Sequence, residues 1–171
     1  MNSLLVEFYR ENKPNINGVT LDDIWSWDEY RLEQIHDYIQ WMFPLAEESE
    51  HNKNAPTLTQ EDIEEFNKDK SIRARIVKCW IVILKFWGLE VSTSLNRIIV
   101  KPGENFDKRK SSWVTFSNHN QLRMTRVIHC LKIVGLPECA QAFYDAITKI
   151  ASETKAINQT TLKYWKEAID E

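Results

Sequence analysis

Turn-forming residues are scarce in this chain, which has four glycines and five prolines among 171 residues. An all-β sandwich or barrel needs more of both, so long helices with few breaks are the consistent architecture. Cysteine is scarce too. Cys79, Cys130 and Cys139 are odd in number and lack close paired spacing, which argues against a disulfide framework and against a zinc cluster. Each sits in an apolar run and reads as a reduced core thiol. The longest apolar run, Trp80 to Leu84, is far short of the roughly 20 residues of a membrane span. The N-terminus, Met1-Asn2-Ser3-Leu4-Leu5-Val6-Glu7, lacks the basic region and long apolar stretch of a signal peptide, so the expected compartment is the cytoplasm. No glycine-rich phosphate loop or nucleophile elbow occurs. His51 and His129 show no metal-ligand spacing, and no metal or cofactor is expected.

What is present is the composition of a globular protein: 43% hydrophobic and 27% charged residues, enough apolar surface to offset chain entropy. The length predicts one domain over residues 1–171. A net charge of −3 does not suggest a general nucleic-acid binder. Aromatic residues are plentiful, with seven Trp, seven Phe and five Tyr; such rings fill cores but also line ligand sites.

Helical spacing of Leu4, Leu5, Phe8 and Tyr9 predicts a short first helix, closed by Pro14 and Gly18. Thr20 caps a second, with Asp22 and Asp23 at its positive end. A longer helix is predicted from about Asp28 to Trp41, stopped by Pro44. Residues 46–56 read as a loop. Thr59, with Asp62 three residues on, opens another helix. Asp69 caps the next, whose wide stripe of Ile72, Ile76, Val77, Trp80, Ile83, Leu84 and Trp87 marks it as central, with Gly88 as its stop. Residues 89–106 are either a hairpin pairing 89–91 with 98–100 or an irregular loop. After a short helix following Asp107, Asn118 caps a long helix ended by Gly135. Pro137 suits the first turn of the next, and Asn158 caps the last. The sum is an all-α, bundle-like domain of roughly eight helices.

Two polar motifs could carry chemistry. The first, HDYIQWMFPL at 36–45, puts His36 and Gln40 four apart on the predicted helix, and Asp37 and Trp41 likewise, with Tyr38 among them. Such a set can hold a polar ligand, or His36 and Gln40 can simply bond nearby backbone and fix the turn at Pro44. The second, NHNQLRMTRV at 118–127, opens a helix whose free amides favour an anion. His119, Arg123 and Arg126 form one stripe there beside Asn120, able to engage a phosphate or carboxylate. Alternatively, an arginine of this motif pairs with an internal acid such as Glu33 or Asp37. The run Lys108-Arg109-Lys110 and the acidic stretch Glu61 to Glu65 read as solvated faces. His36 and His119 are the only acid/base pair on offer, and without a nucleophile or metal the chain is not expected to be an enzyme.

The same two blocks, with FYR at 8–10, Gly18-Val19-Thr20-Leu21, Asn54 to Thr59 and Leu84-Lys85-Phe86-Trp87-Gly88-Leu89, resemble the opioid growth factor receptor N-terminal domain family across most of the chain. The small prokaryotic-type members are the nearest in pattern, although Tyr is commoner where Trp87 stands. The resemblance implies that the animal namesake is a receptor for an enkephalin peptide, with nuclear association and growth restraint. The chain stops near the domain's end, without the repeat-bearing tail of the animal protein, so opioid binding is not expected to carry over. No catalytic residues are carried over from the resemblance.

The expectation is therefore a non-enzymatic binding module. His36, Tyr38, Gln40, Trp41, His119, Asn120, Arg123 and Arg126 would border a cleft for an anionic small molecule or a peptide. In a second reading the motifs lock the fold, and Trp25, Trp113 or Trp165 anchor another protein. In a third, His36 and His119 do acid/base chemistry.

Overall fold

The computed structural model describes residues 1–171 as ten α-helices and one two-stranded antiparallel sheet. The contacts divide the chain at Val82 into two compact regions, Met1–Val82 and Ile83–Glu171. The division falls inside one helix.

The first region holds α1 (Leu4–Arg10), α2 (Leu21–Ser26), α3 (Glu29–Gln34), α4 (Tyr38–Met42), α5 (Gln60–Lys68) and α6 (Lys70–Phe86) as far as Val82. Helices this short are marginal alone, so their ends matter. Thr20 and Thr59 each accept from the backbone N–H three residues on, while Asp23 and Asp62 accept from the threonine N–H in return. Ser3 and Asp28 cap α1 and α3 in the simpler way. Asp69 Oδ1 accepts from the N–H groups of Ser71 and Ile72 and opens α6. The buried faces meet in an aromatic cluster: Phe8 lies 5.7 Å from Tyr9 and 5.2 Å from Trp41, and Tyr9 lies 5.0 Å from Phe66, between ring centroids. The Tyr9 hydroxyl donates to the Met42 carbonyl. Leu45 and Thr57 bridge in parallel and close the 46–56 loop.

The helix expected from Asp28 to Trp41 is two helices, one more than expected there, and the structure has ten in all. Ile35 is extended (φ −91°, ψ 133°), and α4 starts afresh at Tyr38. The break is tertiary in origin. It turns Tyr38 into the interior, where its hydroxyl donates to the Leu32 carbonyl at 2.8 Å, and Asn17 Nδ2 donates to Asp37 at 2.6 Å.

The second region begins with a hairpin of β1 (Leu89–Ser94) and β2 (Arg97–Pro102), in register Leu89↔Pro102 to Ser94↔Arg97. Its two-residue turn, Leu95-Asn96, has φ of +50° and +62°, the twist that a tight hairpin needs. Then come α7 (Phe106–Arg109), a 3₁₀ turn at Lys110–Ser112, α8 (His119–Ile133), α9 (Pro137–Thr154) and α10 (Gln159–Asp170). Helix α8 packs on α9 and α10, and α9 packs on β2. Trp87 stacks on Phe143 at 5.7 Å and 6°. Gly88 is required where it stands: its φ is +82°, and a Cβ there would lie 2.8 Å from the Phe106 Cα. No helix is long and apolar enough to cross a membrane.

Candidate functional site

The first block has its residues in three environments. His36 lies in the break before α4, exposed and off any helix, so the expected four-residue pairing with Gln40 does not form. Tyr38 and Trp41 are core residues, Tyr38 edge-on to Trp27 at 5.7 Å. Gln40 braces the following loop: its Nε2 donates to Ser49 Oγ at 3.1 Å, and its Oε1 accepts from Asn52 Nδ2 at 2.6 Å. Beside Tyr38 opens a small pocket of about 210 Å³, lined by Asn15, Asn17, Trp27, Arg31 and Asp37 among others. The Arg31 guanidinium covers the Trp27 ring at 4.5 Å and forms part of its rim.

The second block is largely internal to its own region. Asn118 caps α8 by accepting from the Asn120 N–H at 2.9 Å. Asn120 is fully buried; its Oδ1 accepts from Trp87 Nε1 and from Arg123 Nη1, both at 3.2 Å, and its Nδ2 donates to the Ser112 carbonyl at 3.0 Å. Gln121 is the hub. Its Nε2 donates to the carbonyls of Trp113 and Thr115 at 2.9 Å each, and its Oε1 accepts from Thr161 Oγ1 at 2.8 Å. Its own carbonyl accepts from Trp165 Nε1 at 3.1 Å. The irregular segment 112–117 has no ladder to satisfy its backbone, and these two amides do that work. Arg123 is buried within this network, Arg126 is half-buried and His119 is exposed.

Sequence reasoning passed over Gln121, although it stands inside the motif. The signal was two adjacent amides just after a helix cap, in a chain rich in indoles, most of which find an acceptor when buried. The expectation that Trp113 or Trp165 anchors a partner is corrected: both are fully buried, and both indole N–H groups are bonded inside the fold. Trp25 is half-buried beneath Arg75 (4.6 Å) and Lys78 (4.4 Å). Arg109 is not a solvated charge either; its Nε donates to the Phe86 carbonyl at 2.7 Å. Nor is the acidic stretch wholly solvated: Asp62 is buried as a cap partner, and Glu65 pairs with Arg10.

The three cysteines are free and buried. Burial pushes the Cys79 thiol up to about 11, against the opposing pull of the Trp25 N–H at 3.3 Å, so it stays protonated and unreactive near neutral pH. No three His, Cys, Asp or Glu side chains gather as a metal site. A larger groove of about 770 Å³ runs between β2 and α9 and contains none of the site residues expected from the sequence.

A sequence model of the opioid growth factor receptor (OGFr) conserved region matches residues 2–171. The chain is 33% identical to the opioid growth factor receptor of Mus musculus over 160 residues, which is 90% of this chain and 25% of that protein. It is 31% identical to the Homo sapiens receptor over 172 residues, 96% of this chain and 25% of that protein. Opioid growth factor receptor-like protein 1 of Xenopus tropicalis is 30% identical over 168 residues, covering 94% and 32% respectively. The chain thus spans about a quarter to a third of the length of these relatives. No solved structure matches it.

Proposed function

This chain belongs to the opioid growth factor receptor conserved-region family, and from that premise we propose that it is a non-enzymatic module for binding peptides, in which the NHNQLR motif is a structural lock. The observation that carries this reading is the saturation of the Asn120–Gln121 network. The amide groups of both side chains are bonded within the fold, and Arg123 contributes its guanidinium to the same network. A motif used this way holds a scaffold rigid and leaves recognition to other surfaces. The relatives are named receptors for an opioid growth factor, which favours a peptidic ligand over a metabolite.

The test is a panel of short peptides, nucleotides and inorganic phosphate, read by thermal shift and calorimetry. Peptides are expected to bind and raise the melting temperature, with nucleotides and phosphate inert. Arg123→Ala is expected to lower stability while leaving peptide affinity within about twofold. Tight phosphate or nucleotide binding lost in Arg123→Ala would instead make this motif an anion site and defeat the reading; so would a panel in which no peptide binds.

A further inference from the structure

The chain has one Asn-Gly pair, Asn17-Gly18, and the structure sets it in an exposed turn between α1 and α2. Gly18 N donates to the Asn15 carbonyl at 3.0 Å, and Asn15 N donates to the Val19 carbonyl at 2.8 Å. Asn15 Oδ1 accepts from the N–H groups of Asn17 and Val19, at 2.9 and 3.1 Å. Gly18 has φ of +76°, which its lack of a side chain permits, and nothing lies within 4 Å of the place where a Cβ would stand. The backbone nitrogen that follows Asn17 is therefore uncrowded, and it is restrained by its bond to Asn15.

The Asn17 side chain ties this turn to the break between α3 and α4. Its Nδ2 donates to Asp37 Oδ2 at 2.6 Å, and Asp37 stands just before α4, where its own side chain makes no cap bond. Both residues line the pocket of about 210 Å³. An amide can donate to a carboxylate, whereas a second carboxylate in its place has no proton to give and repels it. Other asparagines are placed differently. Asn118 and Asn158 are followed by the larger His119 and Gln159, and Asn120 is buried with both ends of its amide bonded.

We propose that Asn17 is a site of spontaneous deamidation, and that its conversion to a carboxylate releases the turn at 15–19 from the start of α4. The Gly18 nitrogen, its proton taken by hydroxide, attacks the carbonyl carbon of the Asn17 side chain. The new C–N bond closes a succinimide ring, and Nδ2 leaves as ammonia with a proton from water. A water molecule then opens the ring. Opening at the side-chain carbonyl gives aspartate; opening at the backbone carbonyl gives isoaspartate, with the main chain rerouted through the side chain. Glycine makes the step accessible because no Cβ hinders the approach of its nitrogen. Either product carries a new negative charge and no donor where Asn17 held Asp37.

The experiment incubates the full chain at mildly alkaline pH, folded and unfolded in guanidinium chloride. Mass spectrometry then maps each asparagine, with isoaspartate scored apart from aspartate. Asn17 is expected to convert ahead of every other asparagine in the folded chain, faster as pH rises. Two hydrogen bonds must open first, Gly18 N–H to Asn15 and Asn17 Nδ2 to Asp37, so the folded rate should lie within about a hundredfold of the unfolded rate. A folded chain that keeps Asn17 intact while the unfolded chain converts, or that deamidates first elsewhere, would overturn the proposal. The consequence is read on Asn17→Asp, which carries the aspartate product. Its melting temperature is expected to fall by about 2–4 °C, and adding Asp37→Asn, which restores a donor from the other side, should recover most of the loss. An Asn17→Asp chain as stable as wild type, or one that Asp37→Asn fails to rescue, would overturn the link between the turn and α4.

Discussion

The two regions both carry ion pairs on their surfaces, but only the second builds a network of amides and indoles in its interior. In Met1–Val82, charge sits at the rim: Arg10 pairs with both Asp69 and Glu65, and Arg75 reaches Asn12 at 2.9 Å and Asp22 at 3.5 Å. In Ile83–Glu171, amides and indoles are bonded in the interior around Gln121, and the one charge buried with them, Arg123, donates to the Asn120 amide. Rim charges are screened by salt and titrate; buried amide networks do neither, but leave costly orphans when one member is lost. The difference teaches that a conspicuous polar motif is not by itself a ligand site. The second region uses its motif to hold an irregular segment that no helix or strand supports.

The sharpest way to break this comparison is Gln121→Met. The substitution keeps the side-chain length but strands the Trp113 and Thr115 carbonyls and the Thr161 hydroxyl, so a loss of about 3 kcal/mol is expected. Urea unfolding followed by tryptophan fluorescence measures it, and the loss should be the same at low and high salt. A loss below about 1 kcal/mol would mean that the network is incidental and the contrast between the regions is wrong.

The next effect belongs to the first region and should carry the opposite signature. The Ser71 hydroxyl, and Arg10 at 2.6 Å, hold the Asp69 carboxyl down from 3.8 to about 2. Its folded pKa is depressed, so its contribution is fully present above about pH 4 and is lost as pH falls toward 2. Asp69→Asn is expected to cost about 1–2 kcal/mol near neutral pH, discounted for partial exposure, and less in high salt. The difference in melting temperature between wild type and variant should shrink through that acid window. A difference that persists unchanged at pH 2 would show that Asp69 acts through its cap hydrogen bonds and not through its charge.

Features set by adjacent residues were legible in the sequence. Thr20, Thr59, Asn118 and Asn158 cap helices as read, and Gly88 and Gly135 end them with φ of +82° each. The family was legible too, because its blocks are contiguous strings. What distant residues decide was not. At the break after Ile35, Asn17 bonds Asp37 from twenty residues away, and helical spacing alone runs straight through it. The hairpin stood open against a loop because Leu95-Asn96 lacks the glycine that usually marks such a turn. Trp113 and Trp165 look like anchors until Gln121 and Trp87 supply partners for the indoles and the backbone around them. The groove at Ala142 and Ala146 could not be seen because small residues on a helix carry no chemistry of their own.

The smallest effect concerns what the regions share. Both begin their helices with side-chain caps, and a cap is local, so its worth should not depend on which kind of interior lies behind it. Thr59→Ala removes the acceptor for the Asp62 N–H, at 3.1 Å, but leaves Asp62 bonded to the Thr59 N–H at 3.0 Å. With half of the reciprocal pair intact, the expected loss is about 1 kcal/mol, and Thr59→Ser should restore all but a few tenths. Urea midpoints for the two variants measure this. If Thr59→Ala cost as much as Gln121→Met, the first region would depend on its helix ends as heavily as the second depends on its buried amides. The distinction between rim charges and buried amides would then describe where polar groups lie without explaining what holds each region together.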